Sequence, residues 1–212
     1  MKFYFDYISP YAYIAWTQIR ALANQHDRTV EPIPVLFGGL LNESGRLGPA
    51  ETPLMRRWLW KNVLRKCTQL DIPVQPPDTH PFNPLLALRV TTLDMTDQQR
   101  EQLIDLLFTA VWVKSQNVTD TQVIKPLLAQ VGLDGDQALA QVQQPAIKQR
   151  LKENTETAIK AGTFGVPTMI VDDELFWGHD DFDYLEAFLS GEDRYHKHLL
   201  TSLDAVKASI TR

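Results

Sequence analysis

The stretch FDYISPYAY, residues 5–13, contains a change of hydrophobic period, and the fold can be read outward from it. Just before and into it, KFYFD (2–6) alternates: Phe3 and Phe5 point one way, Lys2, Tyr4 and Asp6 the other, the pattern of a short strand. From Tyr11 the apolar spacing turns helical, through Ile14, Ala15, Ile19, Leu22 and Ala23. Ser9 and Pro10 stand at the junction. A serine at the N-cap accepts a backbone N–H, and a proline at the first helical position has none to leave unpaired, so the pair marks a helix start. On these residues alone Ser9 is a helix cap.

The helix is expected to end near Asp27, and TVEPIPVLF (29–37) reads as a second strand. Its prolines, Pro32 and Pro34, cannot donate to a ladder and place it at a sheet edge. GGLLNESGRLGPAE (38–51) reads as loop. Thr52 and Pro53 then open a helix with an apolar stripe of Met55, Leu59, Val63, Cys67 and Leu70 and a basic one of Arg57, Lys61 and Arg65. IPVQPPDTHP (72–81) is extended linker, Asn83 and Pro84 start another helix, and Thr96 with Gln99 makes a capping box for the next. Further helices are expected from Thr119, from Asp134, and from Pro145 to about Ala161, where Gly162 can take the left-handed stop. The period then returns to two. PTMIVDDELFWG (167–178) reads as a hairpin turning at Asp172 and Asp173, and DDFDYLEAFLSG (180–191) as a last helix. A helical block enclosed by the halves of a small α/β unit points to an insertion, not to successive domains.

With 212 residues, 44% apolar and 22% charged, the chain has the composition of an ordinary globular protein. Its net charge of −5 argues against nucleic acid or an anionic membrane as a partner, and no apolar run approaches the length of a membrane span. Strand pattern at the very start leaves no room for a signal peptide, so the expected address is the cytoplasm. The single cysteine, Cys67, permits neither an intramolecular disulfide nor Cys-x-x-Cys; on its apolar stripe it reads as a small buried hydrophobe. The five histidines have no zinc-site spacing, so no metal is expected.

The element order, together with FDYISPYAY, TFGVPTMIV (163–171) and FWGHDDFDYLEAFL (176–189), resembles the thioredoxin-like proteins of the DsbA type. Within them it is most similar to the branch of 2-hydroxychromene-2-carboxylate isomerases and kappa-class glutathione transferases. The resemblance runs to about His198. It implies an α/β fold, with a thioredoxin-like sheet domain (1–39 and 145–200) interrupted by an inserted helical domain (40–144) and followed by a tail (201–212). Redox-active members carry Cys-x-x-Cys at the turn after the first strand, where this chain reads Ser9, Pro10, Tyr11, Ala12, so disulfide exchange is not available to this turn. In the resembling branch the thiol belongs to bound glutathione, and the serine hydroxyl donates to its sulfur at a helix N-terminus.

By that resemblance Ser9 is the catalytic residue and Tyr11 lies beside it in the glutathione site. Pro167 forms a cis-proline turn that presents the Val166 backbone to the cysteinyl part. Asp180 accepts from the γ-glutamyl ammonium, and backbone N–H groups near His179 meet the carboxylate. The branch often has Gly-Asn where this chain has Gly45-Arg46; Arg46 is able to grip the glycyl carboxylate as a bidentate partner, or to be a loop charge. The implied reaction is a glutathione-dependent isomerisation of 2-hydroxychromene-2-carboxylate in aromatic catabolism. The alternatives are a kappa-type transfer to small electrophiles and a non-enzymatic thioredoxin-like module that binds peptides. The partner is then a small aromatic carboxylate or an electrophile, with homodimerisation left open.

Overall fold

The computed structural model describes residues 1–207. Strand β1 (Lys2–Phe5) runs through the 6–9 turn into α1 (Pro10–Gln25), which returns the chain to β2 (Glu31–Pro34), parallel to β1. The hairpin of β3 (Thr168–Val171) and β4 (Glu174–Trp177) joins the other side, with β3 antiparallel to β1, to give the sheet order β2-β1-β3-β4. The proline-bearing strand is at the edge, where its missing donors cost nothing. Asp172 and Asp173 both have positive φ, 49° and 67°, which suits a two-residue hairpin turn.

Between β2 and β3 come α2 (Phe37–Ser44), α3 (Pro53–Gln69), α4 (Leu85–Thr91), α5 (Asp97–Trp112), α6 (Thr121–Gln130), α7 (Gly135–Gln141) and α8 (Pro145–Lys160). A turn of 3₁₀ helix at His179–Asp181 leads into α9 (Phe182–Leu189), and α10 (Leu200–Asp204) follows. The expected tail, 201–212, is described to 207, and its last five residues lie outside the described residues. Among those described, no helix is long and apolar enough to cross a membrane.

Two expectations give way. The segment read as loop from Gly38 contains α2. Its glycines are poor helix formers, but tertiary contacts outweigh propensity. Leu40 is buried against Tyr4, Val35 and Ala158, and Asp6 takes the Phe37 N–H at the helix start. A Cβ on Gly39 would come within 3.0 Å of the Thr155 side chain, so the glycine lets α2 lie close on α8. The alternation of β1 also fails to separate buried from exposed positions: Tyr4 and Asp6 are as buried as Phe3 and Phe5. The strand is central, and both of its faces are covered. Phe3 and Phe5 meet Trp16 of α1 and Phe108 of α5, while Tyr4 packs with Val35, Leu40 and Ala158.

The other local signals are realised as chemistry. Thr96 and Gln99 exchange both bonds of the capping box at the start of α5. Asn83 accepts the Leu85 N–H at 3.0 Å, and Gly162 adopts φ 86° just past α8. Thr52 occupies the N-cap position of α3 without making a side-chain cap bond.

Candidate active site

The turn between β1 and α1 is fastened from several sides. Asp6, fully buried, accepts the Ile8 N–H at 3.0 Å and the Phe37 N–H at 2.9 Å, tying the turn to the start of α2. Burial pushes its carboxyl up to about 7, with the two N–H donors pulling the other way. The Tyr7 carbonyl accepts the Trp112 indole N–H at 2.9 Å, from the end of α5. The Ile8 carbonyl accepts from His80 Nε2, also at 2.9 Å. That bond fixes the His80 tautomer, because a carbonyl only accepts: the proton is on Nε2. The ring sits among Trp60, Phe82 and Trp112, and burial lowers its pKa from the usual histidine value.

Ser9 ends this turn as the N-cap of α1, with φ −93°, ψ 115° and Pro10 behind it. Its Oγ accepts the Ala12 N–H at 3.1 Å and donates to the Val166 carbonyl at 3.2 Å. The cap reading is therefore met, and by a lone pair only. The hydroxyl hydrogen is directed across to the turn before β3, where the Val166–Pro167 peptide bond is cis. Ser9, Val166 and Pro167 thus come together directly.

The remaining expected residues are each held by partners of their own. Arg46, exposed in the loop after α2, donates from Nη2 to the Phe164 carbonyl at 3.0 Å and from Nε to Ser44 Oγ at 3.0 Å. It thereby tethers that loop to the segment that carries Val166. Phe164 packs against Trp177 with ring centroids 5.1 Å apart and planes tilted by 54°, and a Cβ on Gly165 would be 2.5 Å from the indole nitrogen. Tyr11 donates to Asn62 Oδ1 on α3 at 2.9 Å, and burial, then the Asp180 charge, raises its phenol to about 12. His179 Nε2 donates to Gln18 Oε1 on α1 at 2.8 Å; burial, then the charge of Lys66, lowers its pKa.

Asp180 stands at the expected start of the last helix. It lies within the 3₁₀ turn, and the N-cap position of α9 belongs to Asp181, whose carboxylate accepts the Trp177 N–H. The Asp180 carboxylate is instead ion-paired with Lys66 of α3. Lys66 carries no signal in sequence, since it falls between the basic stripe and the apolar one. Arg57, Lys61 and Arg65 are solvated. Cys67 is buried, and burial pushes its thiol up. Trp112 is core and a hydrogen-bond donor, whereas Trp58 and Trp177 are half exposed. Among the described residues no cluster of acidic, histidine or cysteine side chains is arranged to hold a metal ion.

The model of the DSBA-like thioredoxin domain matches residues 1–190. The chain is a member of the DSBA-like thioredoxin family. It is 27% identical over 193 residues to 2-hydroxychromene-2-carboxylate isomerase of Sphingobium xenophagum, covering 89% of this chain and 97% of that one. It is 27% identical over 206 residues to glutathione S-transferase kappa 1 of Caenorhabditis elegans, covering 92% and 87% respectively. A solved 2-hydroxychromene-2-carboxylate isomerase superposes with a TM-score of 0.83 at 22% identity, over 97% of this chain and 98% of that one, and so shares the fold. In this DSBA-like member the turn after β1 ends in a serine whose hydroxyl faces the cis-proline segment.

Proposed function

We propose that the chain is a glutathione-dependent isomerase of the 2-hydroxychromene-2-carboxylate type. The observation that carries the proposal is the Ser9 hydroxyl: it caps α1 through a lone pair and directs its hydrogen across to the Val166 carbonyl. The residues present fit glutathione on three counts. A donor stands at the N-terminus of a 16-residue helix, a cis-proline segment offers backbone beside it, and an exposed carboxylate, Asp180, lies at the start of the segment that follows β4.

Glutathione, when bound, supplies a thiolate nucleophile that adds reversibly to a conjugated double bond and so frees that bond to rotate. Ser9 turns its hydrogen from the Val166 carbonyl toward the sulfur while its oxygen continues to accept from Ala12. The N-terminus of α1 adds the positive end of the helix dipole. Together, a dipole contribution of about 0.3–1 kcal/mol and a charge-assisted bond of about 1.5–3 kcal/mol lower a thiol pKa by roughly one to three units. Val166 pairs with the cysteinyl backbone in the manner of an added strand. Arg46 holds the glycyl carboxylate, and Asp180 the γ-glutamyl ammonium. The aromatic group of His80, Trp60 and Phe82 supplies an apolar wall for a ring substrate.

A second reading, transfer of glutathione to small electrophiles, is favoured by the kappa-class relative at the same 27% identity. It uses the same thiolate site with a different pocket. The deciding experiment is an assay of the purified chain, with and without glutathione, against 2-hydroxychromene-2-carboxylate and an electrophilic chloroarene. Glutathione-dependent conversion of the first supports the isomerase and of the second the transferase. Failure of glutathione to bind at several millimolar would remove both and leave a peptide-binding module.

A further inference from the structure

The Lys66–Asp180 pair is out of place as ordinary surface electrostatics. Lys66 is the covered partner, its side chain 17% exposed, and Asp180 the open one, at 74%. They meet from separate elements, α3 and the turn before α9, at a groove of about 550 Å³ walled also by α1. Among the described residues Lys66 is the one lysine or arginine lining that groove, against three acids, Asp180, Asp183 and Glu186. The polar ends of Gln18 and His179 lie beside them. His179 is held neutral at neutral pH by burial and by the Lys66 charge, so it adds no second cation.

A covered ammonium needs an anion, and in the free protein Asp180 supplies it. An α-amino acid end offers one charge of each sign. It can replace the single internal pair by two external ones, the carboxylate taking Lys66 and the ammonium taking Asp180. Because the ligand's carboxylate takes the place of Asp180 beside Lys66, the covered ammonium is not left unpaired when the internal pair opens. The acidic excess around Lys66 disfavours a bare anion, which has no ammonium to offer Asp180 and its neighbours.

We propose that Lys66 and Asp180 together recognise the free α-amino acid end of the γ-glutamyl residue of glutathione, with Lys66 binding the carboxylate and the internal ion pair opening when the ligand enters. The proposal rests on the glutathione reading above and adds to it a side-chain cation for the carboxylate. It is tested by calorimetry with three probes: glutathione, γ-aminobutyryl-cysteinylglycine (no α-carboxylate) and glutaryl-cysteinylglycine (no α-ammonium). The wild type should bind each analogue about tenfold more weakly than glutathione, the size expected for one charge-assisted contact. In Lys66→Met the penalty for lacking the carboxylate should vanish, and in Asp180→Asn that for lacking the ammonium. Lys66→Arg, which keeps the charge, should keep both penalties.

Equal wild-type affinity for glutathione and the γ-aminobutyryl analogue overturns the assignment without any variant. So does a carboxylate penalty that persists undiminished in Lys66→Met. Absence of glutathione binding by the wild type is a different failure: it removes the proposed function, and the Lys66 assignment falls with it.

Discussion

Replacing Ser9 by alanine separates the two jobs of its hydroxyl. The lost lone pair leaves the Ala12 N–H without its cap acceptor, and the lost hydrogen leaves the Val166 carbonyl without its donor. Cap removal costs about 0.5–2 kcal/mol, which for a chain of this size lowers Tm by roughly 1–8 °C. The fold survives, because β1, α1 and their aromatic core are untouched. The chemistry suffers more. The bound thiolate loses a charge-assisted donor worth about 1.5–3 kcal/mol but keeps the helix dipole, so the thiol pKa should rise by about one to two units. Below the wild-type pKa that corresponds to a roughly 10- to 100-fold loss of the ionised form and of rate. The measurements are the thiol limb of the pH–rate profile and the ultraviolet absorbance of bound thiolate, titrated in both proteins. Ser9→Ala with a lowered Tm, an unmoved thiol pKa and wild-type turnover would refute the catalytic role and leave a helix cap.

Arg46→Ala should raise KM for glutathione several-fold with saturated kcat unchanged, since a grip on the distal carboxylate acts alike in ground and transition states; an unmoved KM would reduce Arg46 to a tether for Phe164. Gly165→Ala places a Cβ 2.5 Å from the Trp177 indole nitrogen and should cost about 1–3 kcal/mol by overpacking, read from thermal melts. Trp177→Leu in the same chain should recover most of that loss, and no recovery would place the clash elsewhere. The Asp6 carboxyl, raised by burial from 3.8 to about 7, stays protonated in the fold where the unfolded chain has lost its proton. Its contribution is therefore complete below about pH 4 and is lost as pH rises through 7, with a ceiling near 4 kcal/mol. Asp6→Asn should flatten that slope in denaturant titrations from pH 4 to 8; an unchanged slope would assign the pH dependence to other groups.

The period changes at Phe5–Tyr11 and at Pro167 made the sheet legible, because strand and helix spacing are local properties of the chain. The edge position of β2 was legible for the same reason: Pro32 and Pro34 cannot take part in a ladder wherever the strand is put. What escaped was whatever long-range contact decides. α2 escaped because its stability comes from Leu40 and from an acceptor, Asp6, far back in the chain. Asp6 itself looked like an outward-facing strand residue, since alternation cannot reveal that α2 and α8 cover the second face. Ser9 was readable because capping has a sequence signature. Lys66 was not, for its meaning is a partner 114 residues away, and His80 looked like one more residue of a proline-rich linker.

The residues that escaped are those that make the turn rigid. The backbone from Asp6 to Ser9 is held by Asp6's own carboxyl group, by the Trp112 indole on the Tyr7 carbonyl, by His80 on the Ile8 carbonyl, and by the Ser9 N–H on the Asp6 carbonyl. Two of these anchors come from the helical stretch between β2 and β3, and the Phe37 N–H binds the same carboxyl group from α2. The Ser9 oxygen is committed as well, to Ala12. Within this fastened turn the Ser9 hydroxyl hydrogen can change partner by rotation about a single bond, with no backbone movement. A donor that needs no reorganisation acts at full strength on a charge placed before it, which is the condition for electrostatic stabilisation of a thiolate. The helices packed over the turn therefore fix the direction of the cap serine toward the Val166 segment, which is what the proposed thiolate role requires of it.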